Sequence, residues 1–153
     1  MIPNKWLLDS SVMLQSLMGV SPDATRWINR MRDEGRLVGS KLLETEIARV
    51  LLTKRLQGEQ VPIVDVSEYM RGISLGSLDD NLADEAAAIP QSLRTADAIH
   101  IATALRLGID QVGIATHDAQ MARAALALGF QVVDPVTDDP RHAQVVVSRE
   151  TIA

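Results

Sequence analysis

Four acidic residues occupy positions from which carboxylates could act together, although they are far apart in the sequence. They are Asp9, Glu46, Asp97 and Asp118. Carboxylate oxygens are ligands that Mg²⁺ prefers, and a few suffice because the ion keeps several waters. One or two such ions can activate water and neutralise the charge that develops on a phosphodiester. These residues would therefore support metal-assisted hydrolysis, which needs no serine, cysteine or histidine nucleophile.

Three of these acids also have a common structural interpretation. Asp9 and Asp118 each stand where a predicted strand passes into a helix, and aspartate is a frequent N-cap there. The hydroxyl of Thr116 could cap the second helix instead. Asp97 falls in the first turn of an apolar helix, where a negative charge stabilises the helix dipole. The sequence leaves both interpretations open for each acid.

Glu46 lies within the apolar stripe of a predicted helix, beside Leu43 and Ile47. A carboxylate in that position is costly unless it reaches the rim of the stripe, pairs with a cation or binds a metal. Arg49, three residues further on, is the structural partner that helical spacing predicts. Glu44 lies nearer the edge of the stripe and competes with Glu46 for assignment to a site.

The histidines and the lack of cysteine restrict the kind of metal site. The chain has no cysteine, which excludes disulfides and thiolate zinc sites, and His100, His117 and His142 are too scattered for a zinc cluster. Any metal would be held by oxygen. His100 follows Asp97 by one helical turn and could donate to a carboxylate. A histidine on an apolar helix face is more often a packed core residue, so His100 stays outside the predicted catalytic set.

The overall charge argues against one kind of nucleic-acid binding. A net charge of -5 and a pI near 5.1 do not favour binding through a generally basic surface. Cations bound to clustered acids would invert the charge locally, where a phosphate has to approach. The distribution of charge therefore matters more than its sum.

Strand-like and helix-like segments alternate in the first half of the chain. Lys5 to Leu8 is a short apolar stretch that predicts a strand ending at Asp9. A helix between Ser21 and Gly35, a short strand at Leu37 and Val38, and a helix from a Ser40 cap to about Leu56 follow. After them come a short helix over Val66 to Arg71 and a strand-like stretch at 73–75. The last segment of this half is a helix that begins at Asp79 and that Pro90 stops.

The alternation is sharper in the second half. A helix from Thr95 is stopped by Gly108, a strand covers Val112 to Ala115, a helix opened by 116–118 ends at Gly129, and a strand covers Phe130 to Val133. Such alternation predicts a mostly parallel sheet covered by helices, with sites beyond the carboxyl ends of the strands. Asp9 and Asp118 both fall at such ends.

Length and composition predict one domain over 1–153, with a core over about 1–134 and a C-terminal surface segment over 135–153. The chain has 153 residues, of which 46% are apolar. Val145 to Val147 is predicted to be an edge strand or part of a surface tail. The apolar runs are too short for a membrane span, and Asp9 interrupts the region where a signal peptide would continue. We therefore expect a soluble, cytoplasmic protein without a membrane partner.

Four segments resemble, in order, the successive motifs of PIN domains of the VapC type. The first is Leu-Leu-Asp-Ser-Ser at 7–11, and the last is Thr-His-Asp at 116–118, with 40–49 and 93–104 between them. Ala124, Ala125 and Gly129 follow the last acid, as in that family. The resemblance covers nearly the whole chain, and the combination of motifs in this order is specific.

The resemblance implies an α/β protein with a three-layer α/β/α fold and a mostly parallel central sheet. It also implies an endoribonuclease that uses Mg²⁺ or Mn²⁺ and acts as the toxin of a type II toxin–antitoxin system. Such a toxin is silenced by a cognate VapB-like antitoxin and is usually a homodimer. Thr116 would support the site, and Ser10 keeps the hydroxyl of the family's frequent threonine. The acids carried over by position as catalytic residues and metal ligands are Asp9, Glu46, Asp97 and Asp118.

The expected reaction is in-line attack on RNA by a water that the cation activates, with a carboxylate orienting or deprotonating that water. Basic residues near the acids would hold the substrate backbone. Lys41, Arg49 and Arg94 are the RNA-binding candidates because they stand near the acids in sequence. Each could equally be a solvated surface charge.

Two other functions fit part of the pattern. A non-catalytic PIN-like module for protein contacts would use the acids as caps. An aspartate phospho-acceptor domain would also place an aspartate at a strand end. Receiver domains, however, need a paired acid and a late lysine, and the last lysine here is Lys54. The Asp-x-Asp of dehalogenase-like phosphatases is absent at Asp9-Ser10-Ser11.

Overall fold

Parallel strands and helices alternate through the computed structural model, which describes residues 2–145. Glycines with positive φ end several helices, as at Gly108 and Gly129. The strands are β1 (Lys5–Leu8), β2 (Leu37–Ser40), β3 (Ser74–Gly76), β4 (Val112–Ala115) and β5 (Val132–Val133). The helices are α1 (Ser10–Leu17), α2 (Pro22–Asp33), α3 (Leu42–Leu56), α4 (Val66–Tyr69), α5 (Asp80–Ala87), α6 (Thr95–Leu107), α7 (Ala119–Leu128) and α8 (His142–Val145).

The five strands form one sheet in the order β3-β2-β1-β4-β5, and every pairing between neighbours is parallel. In this register Leu7 of β1 lies between Val38 of β2 and Ile114 of β4. Parallel neighbours need crossover connections, and the helices supply them on both faces of the sheet. The predicted three-layer α/β/α fold is confirmed, and the described sheet is entirely parallel.

Successive residues of the central strands supply two separate cores. Leu8 belongs to the core under α1, α2 and α3, where it packs with Val12 and Leu43. Leu7 belongs to the opposite core under α6 and α7, together with Ile101. This division follows from the alternation of side chains along a strand buried on both faces. The sheet is thus held rigidly from both sides, and its carboxyl edge is a stable platform for a site.

The last predicted strand is shorter than expected. It was predicted over Phe130 to Val133, but β5 contains only Val132–Val133. The backbone N–H of Phe130 donates to the carbonyl of Ala125 at 3.0 Å, so this residue completes the turn that ends α7. Its ring is fully buried. Phe130 therefore acts as an apolar anchor after the helix and does not pair in the sheet.

The segment after Pro135 was expected at the surface, but parts of it are buried. Val136 is fully buried, and Val145 is buried as the last residue of α8, so Val145 does not start an edge strand. The rest of that predicted strand or tail, Val146 and Val147, lies outside the described residues. Within residues 2–145, no helix is long and apolar enough to cross a membrane.

Candidate active site

The site forms where the strand order reverses, between β1 and β4. The backbone N–H of Asp9 donates to the carbonyl of Ala115 at 2.9 Å, which joins the ends of the two strands. The chain leaves β1 into α1 and leaves β4 toward α7 at this same edge. In open parallel sheets such a switch point creates a crevice beyond the strand ends.

The side chain of Asp9 does not cap α1, because it accepts no hydrogen bond from a backbone N–H in the first turn of that helix. One carboxylate oxygen, Oδ2, accepts from the hydroxyls of Ser11 at 2.7 Å and Thr116 at 2.8 Å. The other oxygen, Oδ1, is buried and has no hydrogen-bond partner. A buried carboxylate with a free oxygen is unfavourable unless a cation or donor approaches it. The capping interpretation of Asp9 is wrong.

Thr116 and Ser11 connect the two loops around Asp9. The buried hydroxyl of Thr116 accepts from the N–H of Asp118 at 3.1 Å, and that of Ser11 accepts from the N–H of His117 at 2.9 Å. The two hydroxyls lie 3.3 Å apart. This network orients Asp9 and the start of α7 together, which is a supporting role of the kind predicted for Thr116.

Asp118 serves as a cap and also keeps an oxygen toward the site. Its Oδ1 accepts from the N–H of Met121 at 3.0 Å, which caps α7. Its Oδ2 accepts from Nη2 of Arg94 at 3.0 Å. Asp118, rather than the alternative Thr116, is therefore the cap, and its second oxygen is bonded to Arg94 and takes no part in capping.

Asp97 lies in the first turn of α6 and is almost completely buried. Nε of Arg94 donates to its Oδ2 at 3.2 Å. Burial, with added repulsion from Asp9 and Asp118, raises the pKa of Asp97, although Arg94 opposes this rise. The charge of Asp97 in turn raises the pKa of Arg94. Three acids are thus close enough to affect one another, and Arg94 neutralises part of their charge.

Glu46 is held by His100, whose side chain is fully buried. Nε2 of His100 donates to Oε1 of Glu46. Burial by itself would lower the pKa of His100, but the bond to Glu46 and the charges of Asp9, Glu46 and Asp97 outweigh burial and raise it. His100, which the sequence placed in the core, is a packed residue that also positions an acid of the site.

The remaining predicted cations lie apart from the acids. Lys41 and Arg49 are exposed, and no hydrogen bond or ion pair joins their side chains to the four acids within residues 2–145. The expected pairing of Arg49 with Glu46 is wrong, because α3 turns Glu46 toward His100 on α6. Arg94 is the predicted cation that reaches the acids.

The donor set fits a hard cation, although it is not a complete cage. In the part of the chain that the structure describes, no group of three or more acids and histidines could hold a metal ion as arranged. Arg94 engages two of the acids. The free, buried Oδ1 of Asp9 is the position that a cation would stabilise. A site with few protein ligands suits Mg²⁺, which retains most of its waters.

The sequence did not predict the roles of three residues in this arrangement, Ser11, His100 and Arg94. The role of Ser11 has one local signal, a hydroxyl two positions after the strand-end aspartate. His100 had a signal in its spacing from Asp97, but its partner Glu46 is 54 residues away. Arg94 was predicted as an RNA contact only, and its ion pairs with Asp97 and Asp118 were not expected.

The fold and site define a class of proteins: three-layer α/β/α domains with acids gathered at the carboxyl edge of a parallel sheet. A family model described as PIN domain matches residues 6–127. The chain is similar to "Ribonuclease VapC46" of Mycobacterium tuberculosis (strain ATCC 25618 / H37Rv), with 35% identity over 129 residues, 84% of this chain and 95% of the relative. It is also similar to "Ribonuclease VapC35" of M. tuberculosis (strain CDC 1551 / Oshkosh), with 31% identity over 133 residues and the same coverage of both chains, 84% and 95%. The chain therefore belongs to the PIN-domain family, and within it to the VapC-type proteins.

Proposed function

We propose that this protein is a cytoplasmic endoribonuclease toxin that depends on Mg²⁺ or Mn²⁺ and hydrolyses RNA phosphodiester bonds. The buried, unpaired Oδ1 of Asp9 is the observation that carries the proposal, because it offers a cation one free ligand. The printed names of the relatives, both ribonucleases, supply the substrate class. The proposed catalytic residues and metal ligands are Asp9, Glu46, Asp97 and Asp118.

Each of the chain's own residues has a defined part in this proposal. A bound divalent cation would supply positive charge for the phosphodiester and the activation of water. Ser11 and Thr116 hold one oxygen of Asp9 and leave the other for the cation. His100 holds Glu46 so that the carboxylate can orient the attacking water or accept a proton from it.

The direct test is cleavage of labelled total RNA with Mg²⁺, with EDTA, and by an Asp97→Asn variant purified in the same way. Metal-dependent cleavage that disappears in the variant supports the proposal. Equal cleavage by both proteins would reveal a contaminating nuclease. If neither protein cleaves, calorimetry with Mn²⁺ decides: absence of binding favours the alternative of a non-catalytic interaction module.

Glu46 and Glu44 provide a matched pair that tests whether Glu46 is the acid of the site on α3. We expect Glu46→Gln to lower the cleavage rate roughly a hundredfold, which is the lower end of what a positioned acid–base group contributes. Glu44→Gln should change it by less than about twofold, because surface substitutions away from a site have small effects. Initial rates on one RNA substrate measure both variants, and the reverse order would move the assignment to Glu44.

Two substitutions separate the capping role of Asp118 from the effect of its negative charge. Asparagine keeps a capping oxygen, so Asp118→Asn should have the same free energy of unfolding as the wild type. Asp118→Ala should have a free energy of unfolding about 1 kcal/mol lower. Both remove the negative charge, so both should lower cleavage and Mn²⁺ affinity. Urea unfolding and calorimetry measure the two effects. Normal activity of Asp118→Asn would leave capping as the role of this residue.

Arg94 is expected to release Asp97 and Asp118 when a cation binds and to contact the substrate phosphate instead. The guanidinium of Arg94 is exposed, so its two ion pairs together contribute only about 1 kcal/mol, and Arg94→Ala should raise Mn²⁺ affinity roughly fivefold. The same change should weaken RNA binding and reduce its salt dependence by about one counterion. Calorimetry and fluorescence anisotropy across a salt series measure both, with Arg94→Lys as the charge-preserving control. Lower Mn²⁺ affinity in Arg94→Ala would contradict this role.

The proposal includes a VapB-like antitoxin and a homodimer. Large apolar side chains are exposed at Leu56, which is 79% accessible, and at Ile63, which is 97% accessible. Contiguous apolar patches mark surfaces that bind protein, and these two side chains are candidates for such a patch. Light scattering of the purified chain, alone and with the antitoxin, tests both parts, and a monomer at micromolar concentration would exclude the stable homodimer.

A further inference from the structure

A cavity of about 370 Å³ opens beside the acids, and most of the residues that line it have no part in the proposed metal chemistry. It shares two residues with the candidate site, Ser11 and Asp118. Leu14 and Met18 of α1 form an apolar wall. The volume lies at the lower end of the range for pockets that hold small organic groups. One planar ring with its attached sugar is therefore the size of group that this cavity suits.

Two cations line the same cavity, Lys54 at the end of α3 and Arg141 before α8. Lys54 has a distant ion pair with Glu59 at 3.7 Å, and Arg141 pairs with Asp139 at 2.9 Å while its side chain stays 64% exposed. Both retain N–H donors for an additional anion. Among the described residues that line the cavity, Asp118 is the single acid. The cavity is thus less negative than the acid cluster next to it.

Gln15 adds a polar group with no partner. Its Oε1 is buried, accepts no hydrogen bond and belongs to a residue that lines the cavity. An unpaired buried amide oxygen is unfavourable until a donor reaches it. The exocyclic amines of adenine and cytosine are donors of the right kind, whereas uracil presents a carbonyl at the corresponding position.

We propose that this cavity binds the nucleotide that flanks the scissile phosphate in single-stranded RNA. The base lies against Leu14 and Met18 with its amine on Gln15, and the phosphate lies between Lys54 and Arg141. This inference rests on the proposed function, because the cavity shares Ser11 and Asp118 with the site where the scissile phosphate would lie. Single-stranded RNA is required, since only an unstacked base can enter a cavity of this size.

An acidic peptide is the main competing occupant, since cations and apolar side chains also suit it. Two observations favour RNA. The cavity shares Ser11 and Asp118 with the acid cluster, where the adjacent phosphate would lie, and the unpaired oxygen of Gln15 is an acceptor for the amine of a base.

The test is titration of the isotope-labelled full chain with 5′-AMP, 5′-CMP and 5′-UMP in EDTA, followed by NMR. AMP and CMP should shift the side-chain amide of Gln15 and bind more tightly than UMP. Lys54→Ala and Arg141→Ala should each weaken AMP binding by about tenfold, which is typical for loss of a hydrogen bond to a charged group. Arg55→Ala is the matched control, because Arg55 is exposed on the same helix and does not line the cavity.

The outcomes separate this proposal from the proposed function because the titration needs neither metal nor cleavage. If the wild type cleaves RNA but AMP shifts no cavity residue, or binds the variants equally well, the nucleotide site is overturned and the nuclease remains. If AMP binds the cavity in a protein that cleaves no RNA, the site is supported and the proposed function fails. Binding of a glutamate-rich peptide there, without AMP binding, would assign the cavity to a protein partner and overturn the proposal. Unchanged melting temperatures establish that the variants are folded. Lys54→Gln replaces Lys54→Ala if the alanine variant does not fold.

Discussion

Replacing Asp9 with asparagine should lower the rate of RNA cleavage by roughly a thousandfold, the scale on which removal of a metal ligand removes metal-ion catalysis. The same change should stabilise the metal-free protein. Asp9 is a buried acid with one free oxygen, and its charge repels the buried Asp97. If this repulsion costs about 1 kcal/mol, the melting temperature in EDTA should rise by about 2–4 °C. Loss of function together with a gain of stability is characteristic of a site residue.

Thermal unfolding with and without Mn²⁺ separates a ligand from a structural residue. Mn²⁺ should raise the melting temperature of the wild type, because a ligand that binds the folded state stabilises it. It should have little effect on Asp9→Asn. Asp110→Asn is the matched control, because Asp110 is exposed and lies outside the site. A variant that melts lower than the wild type in EDTA and still cleaves RNA would show that Asp9 is structural.

Replacing Thr116 with valine should lower both stability and activity, although valine has nearly the same shape. The hydroxyl donates to Asp9 and accepts from the N–H of Asp118, and the side chain is fully buried. Its removal leaves a buried carboxylate short of one donor and a backbone donor unpaired, at a cost of about 1–3 kcal/mol. Cleavage should fall roughly ten- to a hundredfold, as is typical when a partner that orients a metal ligand is removed.

Thr116→Ser is the control for this prediction because it keeps the hydroxyl and removes the methyl group. Its cleavage rate should stay within about threefold of the wild type, with a loss of about 1 kcal/mol for the buried methyl group. Urea unfolding and initial cleavage rates measure both variants. Equal losses of activity in the serine and valine variants would mean that packing, rather than the hydrogen bond to Asp9, is the contribution of Thr116.

Much of the site could be predicted because its acids sit at positions with local signals. Asp9 and Asp118 follow apolar strands directly, and the carboxyl ends of parallel strands meet at one edge of the sheet. Asp97 opens a long apolar helix. The sequence could not choose between capping and metal binding for these acids, because a cap and a ligand use the same residue type at the same position. The hydrogen bonds of each individual oxygen show which acid caps its helix: Asp118 does, and Asp9 does not.

The fold was predictable for a similar reason, except at its last strand. Alternating apolar strands and helices ended by glycine specify a parallel α/β architecture before any contact is known. Phe130 shows where this reasoning fails. An aromatic residue after a helix-ending glycine is typical of a strand, but here its N–H closes the helical turn and its ring fills the core.

Local patterns in the sequence were enough for the fold class, the element order and the strand-end positions of Asp9 and Asp118, because apolar periodicity, caps and turns act over a few residues. The partners of those acids depend on the assembled fold. Thr116 reaches Asp9 across 107 residues, His100 reaches Glu46 across 54, and Arg94 reaches Asp118 across 24. A hydrogen bond requires two atoms to meet within about 3 Å, and sequence spacing cannot specify that distance between separate elements. The packing of helices on the sheet brings these atoms together. It leaves one oxygen of Asp9, Oδ1, buried and without a hydrogen-bond partner among the described residues.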